Sequence, residues 1–252
     1  MRMDEFDGKK FLATVRGEDF AHAGEKESID LVFERLQAQP NWKVLDVGCG
    51  RGGTANYVSQ RGWGQVSGVD IDESSIVYAK VKYPKLDFSV CAMESVGTQF
   101  PEEFDFLYLF NAFYASSDKR EAMKSFRKAA KPGATLCIFD YVNYKPEEKL
   151  PDVFLGQTPA TPAELAEFAK DASWNVTKTE NLDQQYIEWY RNFLARFDDP
   201  KLKKDYSPEE IESVRAKYSE LLAAHESGAL GGVLLLAQAH EIEYKWFGSS
   251  SR

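Results

Sequence analysis

Three spaced glycines, Gly48, Gly50 and Gly53, follow the largely apolar run from Val44 to Val47. Such a pattern is typical of a backbone that approaches a small ligand closely, because a side chain would block the turn. The apolar run predicts a buried parallel strand, and the AxxY pattern after the glycines predicts the start of a helix. The glycine loop is therefore expected where open α/β sheets bind ligands, between the end of a strand and the beginning of a helix.

Two acidic residues narrow the choice of ligand. Asp46 stands two residues before the first glycine, where its carboxylate would repel a pyrophosphate but would suit a cofactor with an ammonium and a sulfonium. Asp70 follows twenty residues after Gly50, and it can accept hydrogen bonds from both hydroxyls of a ribose. These two acids favour S-adenosylmethionine over NAD. The glycine spacing also fits dinucleotide-binding folds, so an NAD-dependent enzyme stays an alternative.

The elements that must position these residues are further strands and helices. Strands are predicted from apolar runs at 66–72, 86–91, 104–111, 134–139, 174–182 and 233–242. With FDFLYLFNAFY at the fourth strand and KPGATL before the fifth, the chain resembles the class I S-adenosylmethionine-dependent methyltransferases over about residues 17 to 182. The resemblance implies an α/β, Rossmann-like, seven-stranded and mostly parallel sheet with helices on both faces and an antiparallel last strand. It also implies S-adenosylhomocysteine as the product of the cofactor.

The cofactor is expected at one edge of that sheet, because the carboxyl ends of parallel strands meet there. The expected cofactor-binding residues stand at the ends of the first four strands: Asp46, Gly48, Cys49, Gly50, Asp70, Ile71, Ala92, Met93, Phe110 and Asn111.

A single domain over 1–252 is expected, since the length and 43% hydrophobic content suit one α/β core with an appendage. Residues 1–40 are interpreted as an amino-terminal cap, with an aromatic-containing arm followed by a helix. Residues 41–182 and 230–245 are interpreted as the core. Residues 183–229 are interpreted as a helical lid insertion of two helices, the second with a capping box at Ser207.

The segment Gly17 to Gly24 resembles the entry segment of the phosphoethanolamine N-methyltransferases. The two-helix insertion is similar to those enzymes and to the sarcosine/dimethylglycine N-methyltransferases. The chain departs from them in its charged groups: Ala115 aligns with their histidine, the last strand carries Leu235 where a basic residue is expected, and no arginine occurs between residues 127 and 191. A phosphate-bearing acceptor is therefore not expected. The favoured acceptor is a small neutral or weakly charged molecule that is methylated at an amine nitrogen.

Candidate catalytic residues are Tyr114, Tyr141 and His22, and candidate substrate-binding residues are Phe20, Tyr141 and Tyr190. Tyr141 keeps the aromatic that the resembled enzymes direct at the substrate, and aromatic faces can hold the cation that forms as an amine gains a methyl group. The alternatives are O-methylation of a small metabolite, a noncatalytic regulatory protein that binds S-adenosylmethionine, and methylation of an exocyclic amine on a nucleobase. The last is suggested by Asn111-Ala112-Phe113-Tyr114, but both prolines of the usual motif are missing.

The charge pattern limits the partners. The net charge is −9, with no long basic run, so a nucleic-acid partner is not expected. No segment approaches the ~20 apolar residues of a membrane span, and no signal core is present at the amino terminus, so a cytoplasmic protein without a membrane partner is expected. The three histidines lack metal-ligand spacing, so no metal is expected. A monomer or a homodimer fits the sequence equally well.

Overall fold

Seven strands form one sheet in the order β3-β2-β1-β4-β5-β7-β6 in a computed structural model that describes residues 2–240. The neighbours among β1 to β5 pair in parallel, and β7 runs antiparallel to both β5 and β6. The sheet confirms the predicted seven-stranded, mostly parallel architecture with an antiparallel last strand. The strands are Lys43–Val47 (β1), Gln65–Asp70 (β2), Asp87–Val90 (β3), Phe104–Phe110 (β4), Ala130–Asn143 (β5), Trp174–Asn181 (β6) and Leu230–Ala239 (β7).

Helices connect the strands and cover the sheet. The α-helices are Phe6–Arg16 (α1), Glu25–Leu36 (α2), Gly53–Gln60 (α3), Glu73–Lys82 (α4), Val96–Gln99 (α5), Lys119–Ala129 (α6), Pro162–Asp171 (α7), Asp183–Ala195 (α8), Leu202–Asp205 (α9) and Pro208–Glu226 (α10). Short 3₁₀ turns occur at Met93–Ser95, Phe113–Ala115, Asp152–Phe154 and Arg196–Asp198. The capping boxes predicted for α7 and α10 are present at Thr161 and Ser207.

Strand β4 shows why both faces of the sheet must be covered. Its residues alternate between two apolar clusters: Phe106 and Tyr108 belong to one, and Leu107 and Leu109 belong to the other. The first cluster contains apolar residues of α1 to α4, α8 and α10, and the second contains those of α5, α6 and α7. A strand that is apolar on both sides is stable only between two helical layers.

Besides shifts of one or two residues at the ends of other strands, three expectations differ from the structure. The aromatic-containing arm is helical, because Phe11, Leu12 and Val15 form a buried stripe on α1. Strand β5 begins at Ala130 rather than after the Lys-Pro-Gly turn, and a register shift opposite β4 accommodates that turn. Strand β7 begins at Leu230, three residues earlier than expected. The expected end of this strand at 242 and of the core at 245 lies outside the described residues.

Helix α8 lies directly on β7 because a glycine permits the approach. A Cβ atom at Gly232 would come within 2.2 Å of the Tyr186 ring. The Gly232 N–H also donates to Asp183 Oδ1 over 3.0 Å, which fixes the first turn of α8. The Tyr186 ring stacks on Phe139 of β5 at a centroid distance of 5.4 Å. Helix α8 is thereby held over the carboxyl ends of the central strands.

Candidate active site

A cavity of about 400 Å³ opens at the carboxyl ends of β1, β2 and β4. One half of its wall comes from the glycine loop and the ends of β2, β3 and β4. The other half comes from the residues before α1, the 3₁₀ turns at 113–115 and 152–154, β5 and α10, and α1 contributes Lys9 beside Asp70. Every expected cofactor-binding residue lines it: Asp46, Gly48, Cys49, Gly50, Asp70, Ile71, Ala92, Met93, Phe110 and Asn111.

The glycine loop is shaped by hydrogen bonds to β2 and by a close approach. The N–H groups of Gly48 and Cys49 both donate to the carbonyl oxygen of Val69, over 2.8 and 2.9 Å. Gly48 has φ +77°, and a Cβ atom there would lie 2.5 Å from the Cβ of Ala112. Only glycine fits this conformation and this spacing. The loop therefore leaves its backbone as the wall of the cavity.

Asp46 is a buried carboxylate that lacks a full set of partners. It is only 3% exposed, and its Oδ2 atom has no hydrogen-bond partner among the described residues. Burial raises the pKa of Asp46 to about 8, and the nearby Asp70 carboxylate adds to the shift. An ammonium group in the cavity would relieve this cost, because it would pair with the charged form. The amino-acid part of S-adenosylmethionine carries such a group.

Asp70 is fixed by three donors. Its Oδ2 accepts the N–H of Gly50 over 2.8 Å, and its Oδ1 accepts the N–H of Asp72 over 2.9 Å. Its third donor is the ammonium of Lys9, at 3.0 Å from Oδ1. Lys9 belongs to α1 and was not among the expected site residues. The carboxylate is oriented toward the loop, as a ribose-binding acid must be.

Ile71 exposes an apolar side chain beside this carboxylate. The residue is 74% exposed although it lines the cavity. A large exposed aliphatic side chain at a ligand site is suited to the flat face of an aromatic base. The site therefore fits S-adenosylmethionine at three chemically different points. The unpaired oxygen of Asp46 suits the ammonium, the loop at Gly48 allows a close backbone contact, and Ile71 suits the adenine ring.

Asn111 joins the amino-terminal segment to helix α8. Its backbone has φ +48°, a left-handed conformation that asparagine tolerates better than most residues. Its Oδ1 accepts the N–H of Ala23, and its Nδ2 donates to the Tyr186 hydroxyl, each over 2.9 Å. Asn111 thus holds two covering segments at the end of β4.

Three aromatic rings form the far half of the cavity wall. Tyr114, Tyr141 and Phe154 lie with ring centroids 5.1 to 5.4 Å apart and planes 74° to 89° apart. Tyr218 of α10 lines the same region. Burial raises the pKa values of the Tyr114 and Tyr141 phenols above their ordinary range, so both hydroxyls stay protonated. These side chains form an apolar, aromatic compartment next to the cofactor half.

Asp140 lies beneath this compartment and is not one of its lining groups. Its two oxygens accept the N–H groups of Tyr114 and Tyr141, over 3.0 and 2.7 Å. Burial raises its pKa to about 6, although these N–H donors oppose the shift. The carboxylate therefore anchors the two tyrosines.

His22 lines the cavity, but both of its ring nitrogens are engaged. Nδ1 lies 3.0 Å from the Ala23 carbonyl oxygen, and Nε2 lies 3.0 Å from Thr54 Oγ1. Since a carbonyl can only accept, Nδ1 carries the proton and Nε2 accepts from the threonine hydroxyl. Burial lowers the pKa of His22 to about 3. This placement supports a role in holding the segment before α2 rather than in proton transfer.

Phe20 and Tyr190 lie outside the cavity wall. Phe20 is buried and packs edge-on against His22 and Tyr57. Tyr190 of α8 lies behind Tyr141, and the two hydroxyls hydrogen-bond to each other. The sequence predicts both as substrate-binding residues, but neither lines this cavity. Tyr190 instead supports a lining residue.

Several lining residues were missed at the sequence level. Lys9 and Asp4 come from α1 and the residues before it, and Phe154 comes from the 3₁₀ turn between β5 and α7. The helical spacing of Phe11, Leu12 and Val15 could have revealed α1. No local motif marks Phe154, which lines the cavity from a 3₁₀ turn in the connection after β5. Within residues 2–240, no cluster of potential metal ligands and no helix able to cross a membrane is found.

Comparison with known proteins agrees with this geometry. Residues 45–138 match the family model described as a methyltransferase domain. Phosphoethanolamine N-methyltransferase 1 of Arabidopsis thaliana is 26% identical over 223 residues, which are 79% of this chain and 43% of that protein. The chain thus spans less than half the length of this relative.

Two solved structures share the fold over almost the whole chain. The phosphoethanolamine N-methyltransferase 2 of Haemonchus contortus, in complex with phosphomonomethylethanolamine and S-adenosylhomocysteine, has a TM-score of 0.84 at 18% identity and covers 94% of this chain and 58% of its own. A protein proposed to be a sarcosine dimethylglycine methyltransferase from Galdieria sulphuraria has a TM-score of 0.78 at 16% identity and covers 93% of this chain and 99% of its own. The sheet order and these neighbours show the class I methyltransferase fold, and residues 45–138 match a methyltransferase domain, which supports an S-adenosylmethionine-dependent methyltransferase.

Proposed function

We propose that this chain methylates an amine nitrogen of a small acceptor that carries no phosphate, and that the acceptor binds between Tyr114, Tyr141 and Phe154. The observation that carries the proposal is the three-ring compartment next to the cofactor half of the same cavity. S-adenosylmethionine supplies a methyl group that its sulfonium already activates.

An aromatic compartment suits an amine because the nitrogen becomes positively charged as it gains the methyl group. Aromatic faces attract a cation by about 0.5 to 2 kcal/mol each, and the attraction grows as charge develops. The compartment thereby favours the transition state over the neutral amine. Tyr141 and Tyr114 act through their rings in this proposal.

The charges around the cavity argue against a phosphate group on the acceptor. Among its described lining residues, the permanently cationic ones are Lys9 and Arg51, and each is ion-paired, with Asp70 and Asp19 respectively. Asp4 also lines the cavity, and it too is paired, since its hydrogen bond and ion pair with Arg2 lower its pKa. The described lining residues therefore offer a phosphate group no cation that is not already paired with a carboxylate.

The engaged hydrogen-bonding groups of the candidate bases favour methylation of a nitrogen over methylation of an oxygen. A hydroxyl acceptor needs a proton acceptor within hydrogen-bond reach, whereas a neutral amine does not. His22 has both ring nitrogens engaged, and Asp140 is occupied by two backbone N–H groups. Methylation of a neutral amine requires neither side chain to act as a base.

The cover over the acceptor is proposed to be the segment 183–229. Tyr218 of α10 lines the cavity, and Tyr190 of α8 hydrogen-bonds to Tyr141 from behind. Movement of these helices would open the aromatic half without disturbing the glycine loop.

The test is a labelled-methyl assay with matched acceptor pairs. Pools of primary, secondary and tertiary amines, phenols and carboxylates are incubated with the chain and labelled S-adenosylmethionine, and the products are identified by mass spectrometry. Each amino alcohol is run beside its phosphate ester. The proposal expects the label on nitrogen and a preference for the ester-free member.

Two outcomes would contradict the proposal. Saturable methylation of phosphoethanolamine in preference to ethanolamine would show that the cavity binds a phosphate. Label on the oxygen of a phenol or carboxylate would show that a base acts in the cavity. Cofactor binding without product from any pool would instead favour a noncatalytic protein.

A further inference from the structure

Lys9 donates to the carboxylate that is expected to bind the ribose of the cofactor. Its ammonium lies 3.0 Å from Asp70 Oδ1, and the Lys9 side chain is only 11% exposed in this contact. Asp70 already accepts the N–H groups of Gly50 and Asp72. A carboxylate has about four acceptor positions, so three donors leave too few for both hydroxyls of a ribose.

The same ammonium has a second carboxylate within reach. Asp72 Oδ2 lies 3.5 Å from Lys9 Nζ, a longer contact than that with Asp70. Asp72 also caps α4 by accepting from Ser74 N and Ser75 Oγ, so its position is fixed. A small rotation of the lysine stem would transfer the ammonium from one carboxylate to the other without leaving it unpaired.

Helix α1 contacts both this ion pair's carboxylate, through Lys9, and the segment 183–229. Lys9 and Leu12 both line the cavity, one turn apart on α1, and the stem of Lys9 passes about 3.6 Å from the position of a Cβ on Gly50. On another side of α1, Phe11 packs against Tyr206 at a centroid distance of 4.6 Å and against Phe197 at 5.8 Å. The Lys9–Asp70 ion pair therefore fixes α1 over the glycine loop.

We propose that Lys9 competes with the ribose of the cofactor for Asp70, and that its ammonium takes the place of the ribose diol on Asp70 while the site is free of cofactor. Binding of the nucleoside part displaces Lys9 from Asp70 to Asp72. The competition weakens nucleoside binding, because the ion pair with Asp70 must be given up before the ribose can bond. The exchange concerns the cofactor alone and does not depend on the acceptor.

Calorimetric titration of two ligands tests the exchange. S-adenosylhomocysteine has the ribose and the amino-acid part, and 5′-methylthioadenosine has the ribose without the amino-acid part. Lys9→Met should bind both ligands more tightly, by about fivefold or more, because the competitor on Asp70 is gone. Lys10→Met is the matched control, since Lys10 is the next residue on α1 and is exposed.

A second substitution tests the role of Asp72 as the alternative partner. Asp72→Asn keeps a side chain that can cap α4 but removes the charge that receives Lys9. It should weaken binding of both ligands in the otherwise unchanged chain, and this effect should vanish when Lys9→Met is also present. A purely structural role of Asp72 would give the same loss with either residue at position 9. Circular dichroism and thermal unfolding establish that each variant is folded, and Lys9→Gln replaces Lys9→Met if the latter is not.

Two results would overturn the proposal. Weaker binding of S-adenosylhomocysteine by Lys9→Met, with 5′-methylthioadenosine unaffected, would show that Lys9 binds the carboxylate of the amino-acid part. Affinities within about twofold of Lys10→Met for both ligands would show that the ion pair does not compete with the ribose.

Discussion

The backbone N–H groups of Tyr114 and Tyr141 bind to the two oxygens of a single carboxylate. Asp140 accepts them over 3.0 and 2.7 Å, and it is itself 2% exposed. One tyrosine follows β4 and the other lies near the end of β5, so the carboxylate sets the spacing of two aromatic rings that come from different strands. The aromatic compartment depends on this one side chain.

Asp140→Asn should therefore impair methyl transfer while cofactor binding survives. An amide has one acceptor oxygen, so one tyrosine N–H loses a charge-assisted hydrogen bond worth about 1.5 to 3 kcal/mol. We expect a lower melting temperature and a higher KM for the acceptor, with calorimetric affinity for S-adenosylhomocysteine unchanged. Asp118→Asn, at the N-cap of α6, is the matched control. Unchanged acceptor kinetics would show that Asp140 does not position the aromatic compartment.

Much of the cofactor half could be predicted from the sequence because its signals are local. The glycine spacing, Asp46 and Asp70 lie within 25 residues, and each lies at or just after the end of a strand. The same locality explains why the strands and capping boxes were identified. Strand ends and helix caps are determined by residues that are adjacent in the sequence.

The acceptor half could not be predicted as well, because it is assembled from distant segments. Phe154 enters through a 3₁₀ turn and Asp4 through the residues before α1, and no spacing rule connects them. Tyr190 has helical periodicity like its neighbours, which shows a buried face but not whether that face meets a cavity or another side chain. In the structure it meets Tyr141.

Cofactor affinity should rise with pH through the titration of Asp46. Burial raises the pKa of this group to about 8 from its ordinary 3.8, so the folded, cofactor-free chain keeps the proton at neutral pH. The ammonium of the cofactor favours the carboxylate, so binding releases a proton below about pH 8. S-adenosylhomocysteine should bind more tightly as pH rises from about 6 to 8, by at most tenfold per pH unit.

The same shift predicts a stability effect of opposite sign in the free chain. A raised folded-state pKa means that the stabilising contribution is present at low pH and is lost as pH rises from about 4 to 8. Calorimetry in two buffers of different ionisation enthalpy measures the released proton. Asp46→Asn should abolish both the release of a proton on cofactor binding and the dependence of cofactor affinity on pH. A slope that persists in this variant would assign it to another group.

Asn111 should contribute to stability through two hydrogen bonds and a tolerated left-handed backbone. Asn111→Ala loses the bonds to Ala23 and Tyr186 and adds strain at φ +48°. Asn111→Gly loses the same bonds without the strain. We expect urea unfolding to give a loss of about 1 to 3 kcal/mol for the glycine variant and about 1 kcal/mol more for the alanine variant. Equal losses would mean that the backbone relaxes.

Tyr141 should act through its ring rather than its hydroxyl. Tyr141→Ala removes a wall of the aromatic compartment and should lower turnover at least about tenfold, while S-adenosylhomocysteine affinity stays unchanged. Tyr141→Phe keeps the ring and loses only the hydrogen bond to Tyr190, so most turnover should remain. Tyr190→Phe removes the same hydrogen bond from outside the cavity and is the control for its loss. If Tyr141→Phe fell to the level of Tyr141→Ala while Tyr190→Phe stayed active, the phenol itself would bind the acceptor, and the cation-binding role of the ring would be refuted.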